Sequence, residues 1–130
     1  MTWEVQFHDD FVPEFRALTK AVRIELVAKV KLLETFGPEL GRPHVDTLNA
    51  SEHANMKELR FDADNGVWRA AFAFDLTRKA IVIVAGDKSG VSEKQFYKKL
   101  IDKADKRFGT HIDKQKAEKK AAAKSKKKGR

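Results

Sequence analysis

Residues 56–85 carry three strand patterns in a row, and the middle one dictates the architecture. Along residues 66–75, Trp68, Ala70, Phe72 and Phe74 fall on one side of an extended chain, and Arg69, Ala71, Ala73 and Asp75 on the other. The division follows from the pleat, which sends successive side chains to opposite faces. A face with three aromatics must be covered, and helices are the covering that the rest of the chain offers. Asp64-Asn65-Gly66 is a tight-hairpin signal joining this strand to one at about 56–62. Leu76-Thr77-Arg78 turns into a third strand at about 79–85, where Ile81 to Val84 is an unbroken apolar run. Such a run suits a central strand buried on both faces.

The helices come from both ends. Trp3, Val5 and Phe7 alternate with polar residues as a short first strand. Asp9 or Asp10 can then cap a helix that tolerates Pro13 in its first turn and spaces Phe11, Phe15 and Leu18 along one face. Val22, Leu26, Val30 and Leu33 form a second stripe ending at Gly37-Pro38. Nothing at 18–21 breaks the helix decisively, but about 27 unbroken residues is long for a small domain, so a helical hairpin is expected. Residues 37–55, with Pro38, Pro43, His44 and His53, have no periodicity and read as a long loop. Ser92-Glu93-Lys94-Gln95 is a capping-box pattern opening a last helix, lined by Phe96, Leu100, Ala104 and Phe108.

The surplus charge is segregated. The chain of 130 residues carries a formal +8, but residues 114–130 alone hold nine cations against Glu118. The first 113 residues are left with 18 cations and 18 acids, which balance. The expected organisation is one α+β domain over 1–113 and a disordered lysine-rich tail over 114–130, with nothing apolar to bury. Any nucleic-acid footprint on the domain must be a local patch, while the tail would attract RNA in a salt-sensitive, sequence-blind way. There is no cysteine, hence no disulfide or thiolate metal site, which suits a reducing cytoplasmic location. No apolar run approaches the roughly 18–20 residues that span a bilayer, so no membrane partner is expected. His8, His44 and His53 lack metal-ligand spacing, and neither a metal nor a cofactor is called for.

Strand alternation also assembles a candidate site. With Leu59 and Phe61 on the core face, Glu58 and Arg60 share the opposite face with Arg69, and cross-strand neighbours on one face lie within about 5–8 Å. Arg60 and Arg69 can therefore converge on one anion beside small alanines that leave room for it. Lys88 enters from the Gly86–Gly90 loop and Tyr97 from the first turn of the last helix. Lys57, Arg78 and Lys98 are further cations that would meet RNA, and His111 is a candidate general base because histidine as a residue type suits proton transfer near neutrality.

The order β-α-α-β-β-β-α, with Leu59-Arg60, Val67-Trp68-Arg69, Ala85-Gly86-Asp87-Lys88 and Phe96-Tyr97, resembles the RelE/ParE toxin superfamily. Trp68 to Asp75 and Gly86 to Gly90 are most similar to its HigB-like branch, which includes phage-derived relatives. The resemblance covers roughly residues 3–112. It implies a small, mostly antiparallel sheet packed by an N-terminal helical hairpin and a C-terminal helix. It further implies a monomeric toxin of a type II toxin–antitoxin pair, a helix-turn-helix antitoxin as partner, and metal-independent cleavage of mRNA on the ribosome. In that chemistry the ribose 2′-hydroxyl attacks the adjacent phosphate. Arg69, Arg60, Lys88 and Tyr97 match the family's phosphate-binding and catalytic positions, and His111 is a candidate base. RelE proper has lysines where Glu58 and Met56 stand, so its lysine-based proton transfer does not carry over; Glu58, His111 or a loop histidine would have to serve.

Simpler readings stand beside these. Arg69 could pair with Glu58 or Asp75 on a solvated face, Lys88 could be a turn residue, and Tyr97 half core. A non-enzymatic toxin on the same fold, such as a ParE-like gyrase inhibitor, or an inactive copy is the alternative function.

Overall fold

The computed structural model describes residues 2–128, with side chains through Lys124. Its elements are β1 (Val5–Phe7), α1 (Phe11–Ala17), α2 (Lys20–Phe36), a 3-10 turn (Gly37–Glu39), β2 (Val45–Thr47), β3 (Lys57–Ala63), β4 (Gly66–Phe74), β5 (Ala80–Asp87) and α3 (Glu93–Lys128). The five strands form one sheet in the order β1-β5-β4-β3-β2. β1 runs parallel to β5, and the other pairs are antiparallel. The hairpin between β3 and β4 turns at Asp64 and Asn65, both at positive φ (54° and 62°), as a two-residue turn that follows the sheet's twist requires.

The sheet is covered on both sides. Phe72 and Ala70 pack with Leu59, Phe61 and Val82 against Phe11, Val22, Leu26 and Leu33 of α1 and α2, and Trp68 and Phe74 are half-buried at the border of that core. On the other side Ala71, Ala73, Ile81, Ile83 and Val84 meet Phe96, Leu100, Ala104 and Phe108 of α3. A bulge opposite Ala71/Phe72 breaks the register of β5, which is how Ile83 and Val84 both reach the α3 side. The aromatic face thus packs as the alternation predicts. The space over Ala71 and Ala73, expected to admit a ligand, is instead filled by α3: small residues are needed there because a helix lies against them.

The helical hairpin forms, and its break has a local cause. Leu18 is extended, and the hydroxyl of Thr19 accepts a hydrogen bond from the Val22 amide at 3.4 Å, capping α2. Asp10 occupies the N-cap of α1 but makes no side-chain capping bond. α2 ends at Gly37 (φ +55°), where any Cβ would strike the indole of Trp3. The loop 37–55 is less irregular than expected: Val45–Thr47 adds an edge strand to β3. At the other end of the chain, α3 continues as helix from the expected boundary at 113 through Lys128. Gln115 is the last described residue of α3 that hydrogen-bonds to the end of the sheet, and Lys116–Lys124 are exposed throughout.

Candidate active site

Register sets the first half of the site. β3 and β4 place Arg60 directly opposite Arg69 and Glu58 opposite Ala71, all on the α3 side. α3 then brings Tyr97 over them. Ser92 caps this helix through the Gln95 amide at 3.2 Å, as the capping-box pattern predicts. The Tyr97 hydroxyl donates to Glu58 Oε1 at 2.8 Å, and Arg69 Nε lies 3.7 Å from the same oxygen. Glu58 and Arg69 are almost wholly buried, at 4% and 6% exposure.

Lys88 is delivered by Asp87. The Asp87 carboxylate accepts from the amides of Val67 and Ser89 and from the Ser89 hydroxyl, and the Lys88 amide bonds to the Val67 carbonyl. The turn after β5 is thereby locked onto the start of β4, and the ammonium of Lys88 sits 5.9 Å from the centre of the Tyr97 ring and 3.1 Å from Glu93. The edge strand β2 supplies the far wall, where Asp46 binds Arg42 at 2.6 Å and Arg60 at 3.6 Å. Between these walls lies a cleft of about 430 Å³ whose charged and phenolic lining is Glu58, Arg60, Lys88, Glu93, Tyr97, Asp46 and Arg42. Arg69 opens instead to a neighbouring cleft of about 440 Å³, which shares Arg42 and Arg60 with the first.

Burial dominates the electrostatics of Glu58 and Tyr97. Burial pushes the Glu58 carboxyl above its ordinary range, against the pull of the Tyr97 hydroxyl and of Arg69 and Arg60. Burial and the hydrogen bond to Glu58 raise the Tyr97 phenol, so it keeps its proton and stays a donor. The Arg69 Nε is buried without a hydrogen-bond partner, because 3.7 Å is too long for one, while its Nη1 is spent on the Trp68 carbonyl at 2.8 Å. A buried guanidinium with a spare donor beside a reluctant carboxylate favours an anion nearby.

The structure brings Arg60, Lys88 and Tyr97 to one cleft and sets Arg69 just behind it. It does not bring the other candidates there. His111 is fourteen residues along α3 from Tyr97, about 21 Å at the helical rise; its Nε2 is 2.9 Å from buried Asp75 at the far end of the sheet. Arg78 caps that same end, with its guanidinium 5.5 Å from the centre of the Trp3 ring. Lys57 shares the strand face of Leu59 and Phe61, opposite to Arg60, and Lys98 is exposed on α3. Glu58 is the residue whose weight the sequence understates: the signal was its place between Met56 and Arg60, two residues before a basic position. Among the described residues no His, Asp and Glu cluster has a metal-binding arrangement, and no helix is long and apolar enough to cross a membrane.

Residues 13–109 match the family model described as phage-derived protein Gp49-like. The chain is 46% identical over 90 residues to the putative toxin HigB2 of Mycobacterium tuberculosis (strain ATCC 25618 / H37Rv), covering 68% of this chain but only 44% of that protein. It is 44% identical over 93 residues to the putative toxin HigB3 of the same organism, covering 72% of this chain and 79% of the relative. Among solved structures it shares the fold of an arginine-substituted mutant of E. coli toxin RelE in the free state (TM-score 0.56, 16% identity, 79% of this chain and 97% of that one). It also shares the fold of the archaeal RelE–RelB complex from Pyrococcus horikoshii OT3 (TM-score 0.50, 18% identity, 70% of this chain and all of that one).

Proposed function

This chain belongs to the phage-derived Gp49-like family, in the HigB-like branch of the RelE/ParE toxins, and from that premise we propose that it is a type II toxin that cuts mRNA on the ribosome. The observation that carries the reading is the buried Glu58, held by Tyr97 and Arg69 at the mouth of a cleft that also holds Arg60 and Lys88.

In the proposed reaction the Glu58 carboxylate takes the proton of a ribose 2′-hydroxyl. The 2′-oxygen attacks the adjacent phosphorus and the bond to the 5′-oxygen breaks, leaving a 2′,3′-cyclic phosphate. The Lys88 ammonium gives a proton to the departing 5′-oxygen, so protons balance across the step. Arg60 and Arg69 offset the charge that builds on the non-bridging oxygens. The raised Glu58 pKa matters here, since a base works best when its pKa approaches the operating pH. Tyr97 fixes the carboxylate for in-line attack, and the ribosome would supply the remaining alignment of the 2′-oxygen.

The cognate antitoxin is the expected protein partner, in keeping with the RelE–RelB complex of the archaeal structural neighbour. The cytoplasm, where ribosomes are, is the proposed location. The chemistry is tested by the ends of the RNA fragments. Downstream fragments with a free 5′-hydroxyl, labelled by polynucleotide kinase without phosphatase, are expected; 5′-phosphate ends overturn the mechanism.

A further inference from the structure

The cleft carries Arg42, Arg60 and Lys88 against Asp46, Glu58 and Glu93. Each of these cations already faces a carboxylate, so the cleft has little net attraction for a polyanion. The cations that could supply attraction lie elsewhere, and the structure gives them a shape. α3 is one helix from beside the cleft to Lys128. Its middle is tied down: Arg107 donates to both oxygens of Glu14 and to the Ile83 carbonyl, and His111 and Gln115 both contact Asp75. The stretch beyond is therefore held in a fixed direction at its root. Lys116, Lys119, Lys120 and Lys124 recur on it at spacings of three and four, which puts them along one side of the helix. This stretch also lies outside the family match, which ends at residue 109.

We propose that this lysine-faced extension of α3 is a second RNA-binding site, one that grips the phosphate backbone of double-helical RNA while the cleft takes a single strand. At 1.5 Å per residue, Lys120 stands about 35 Å from Tyr97 along the helix, too far to serve the same nucleotides. The chemistry selects a duplex backbone. Single-strand binding calls for aromatic stacking platforms, and residues 114–130 contain no aromatic. Insertion at a membrane surface calls for an apolar face, and the stretch offers only alanines. RNA rather than DNA rests on the proposed reading of the cleft. Two weak sites joined by one helix would bind a structured RNA more tightly than either does alone.

The test replaces Lys116, Lys119, Lys120 and Lys124 together by glutamine in the full chain, which keeps good helix formers in place. Binding to a 20-base-pair RNA duplex is followed by fluorescence anisotropy over a range of salt. Neutralising four phosphate contacts should make the slope of log affinity against log salt shallower by about three to four, and weaken binding at least about tenfold at low salt. The same variant should also sediment less with ribosomes at fixed salt. Equal slopes, undiminished ribosome association, or tighter binding of the wild type to anionic phospholipid vesicles than to the duplex would each overturn the proposal. None of these readings needs cleavage, so a chain that cuts no RNA would refute the nuclease reading and leave this measurement intact.

Discussion

Glu58 is a carboxylate in a place that suits a neutral residue better. Only 4% of it is exposed, and burial raises its pKa despite Tyr97 and Arg69. Its folded value lies above its unfolded one, so it favours the fold while protonated, and that contribution is lost as pH rises through the folded value. Glu58→Gln should therefore remove a loss of stability that the wild type shows above the ordinary carboxylate range, as followed by thermal unfolding at several pH values. The same substitution should lower RNA cleavage by about a hundred- to ten-thousand-fold, the exchange of stability for activity that a strained functional group predicts. Tyr97→Phe makes a different prediction. The phenol's hydrogen bond lowers the Glu58 pKa, so its loss should move the acid limb of the pH–rate profile to higher pH, with activity partly recovered in alkaline buffer. An unmoved limb would mean that Glu58 is not the base.

α3 is held at points that the apolar stripe does not reveal. Arg107 is 13% exposed in its side chain and joins α1 to the β5 backbone. Arg107→Met should cost about 1–3 kcal/mol in urea unfolding, because it leaves a carboxylate and a carbonyl without their donor. Asp75 serves the turn between β4 and β5, accepting from Thr77 and the Lys79 amide with one oxygen and contacting His111 and Gln115 with the other. Burial opposes its ionisation, but these bonds outweigh burial and hold its pKa below the ordinary value. Its contribution is thus present above the unfolded pKa and is lost as pH falls through the lower folded one. Acid unfolding of Asp75→Asn should lack that component. Beyond Gln115 no hydrogen bond or ion pair ties the described side chains of the helix to the rest of the fold, and we propose that the cooperative domain ends there. Amide exchange should show slow protons up to about residue 115 and fast ones after it.

Across the whole molecule, what the sequence revealed was whatever a period or a turn encodes. The aromatic face of β4, the Asp64-Asn65 hairpin and the covered run in β5 were readable because alternation and turn chemistry are local. The edge strand β2 was not readable, since three residues carry no period and pair only once β3 exists. The site was half legible. Register put Glu58, Arg60 and Arg69 on one face, but their division between two adjoining clefts depends on where α3 and residues 42–50 come to lie. His111 suited the role of base by residue type, yet the length of α3 carries it to the opposite end of the sheet. The charge balance within residues 1–113 was legible as a count, and the structure gives it meaning as a cleft whose cations are already paired.

The most direct measurement is primer extension on cellular mRNA after induction of the wild type or Glu58→Gln, with the two proteins accumulating to equal levels. Discrete cuts inside translated codons for the wild type, absent for the glutamine variant, are the expected result. Intact transcripts despite growth arrest, or an equal pattern of cuts from Glu58→Gln, would contradict an mRNA-cleaving toxin that uses this carboxylate.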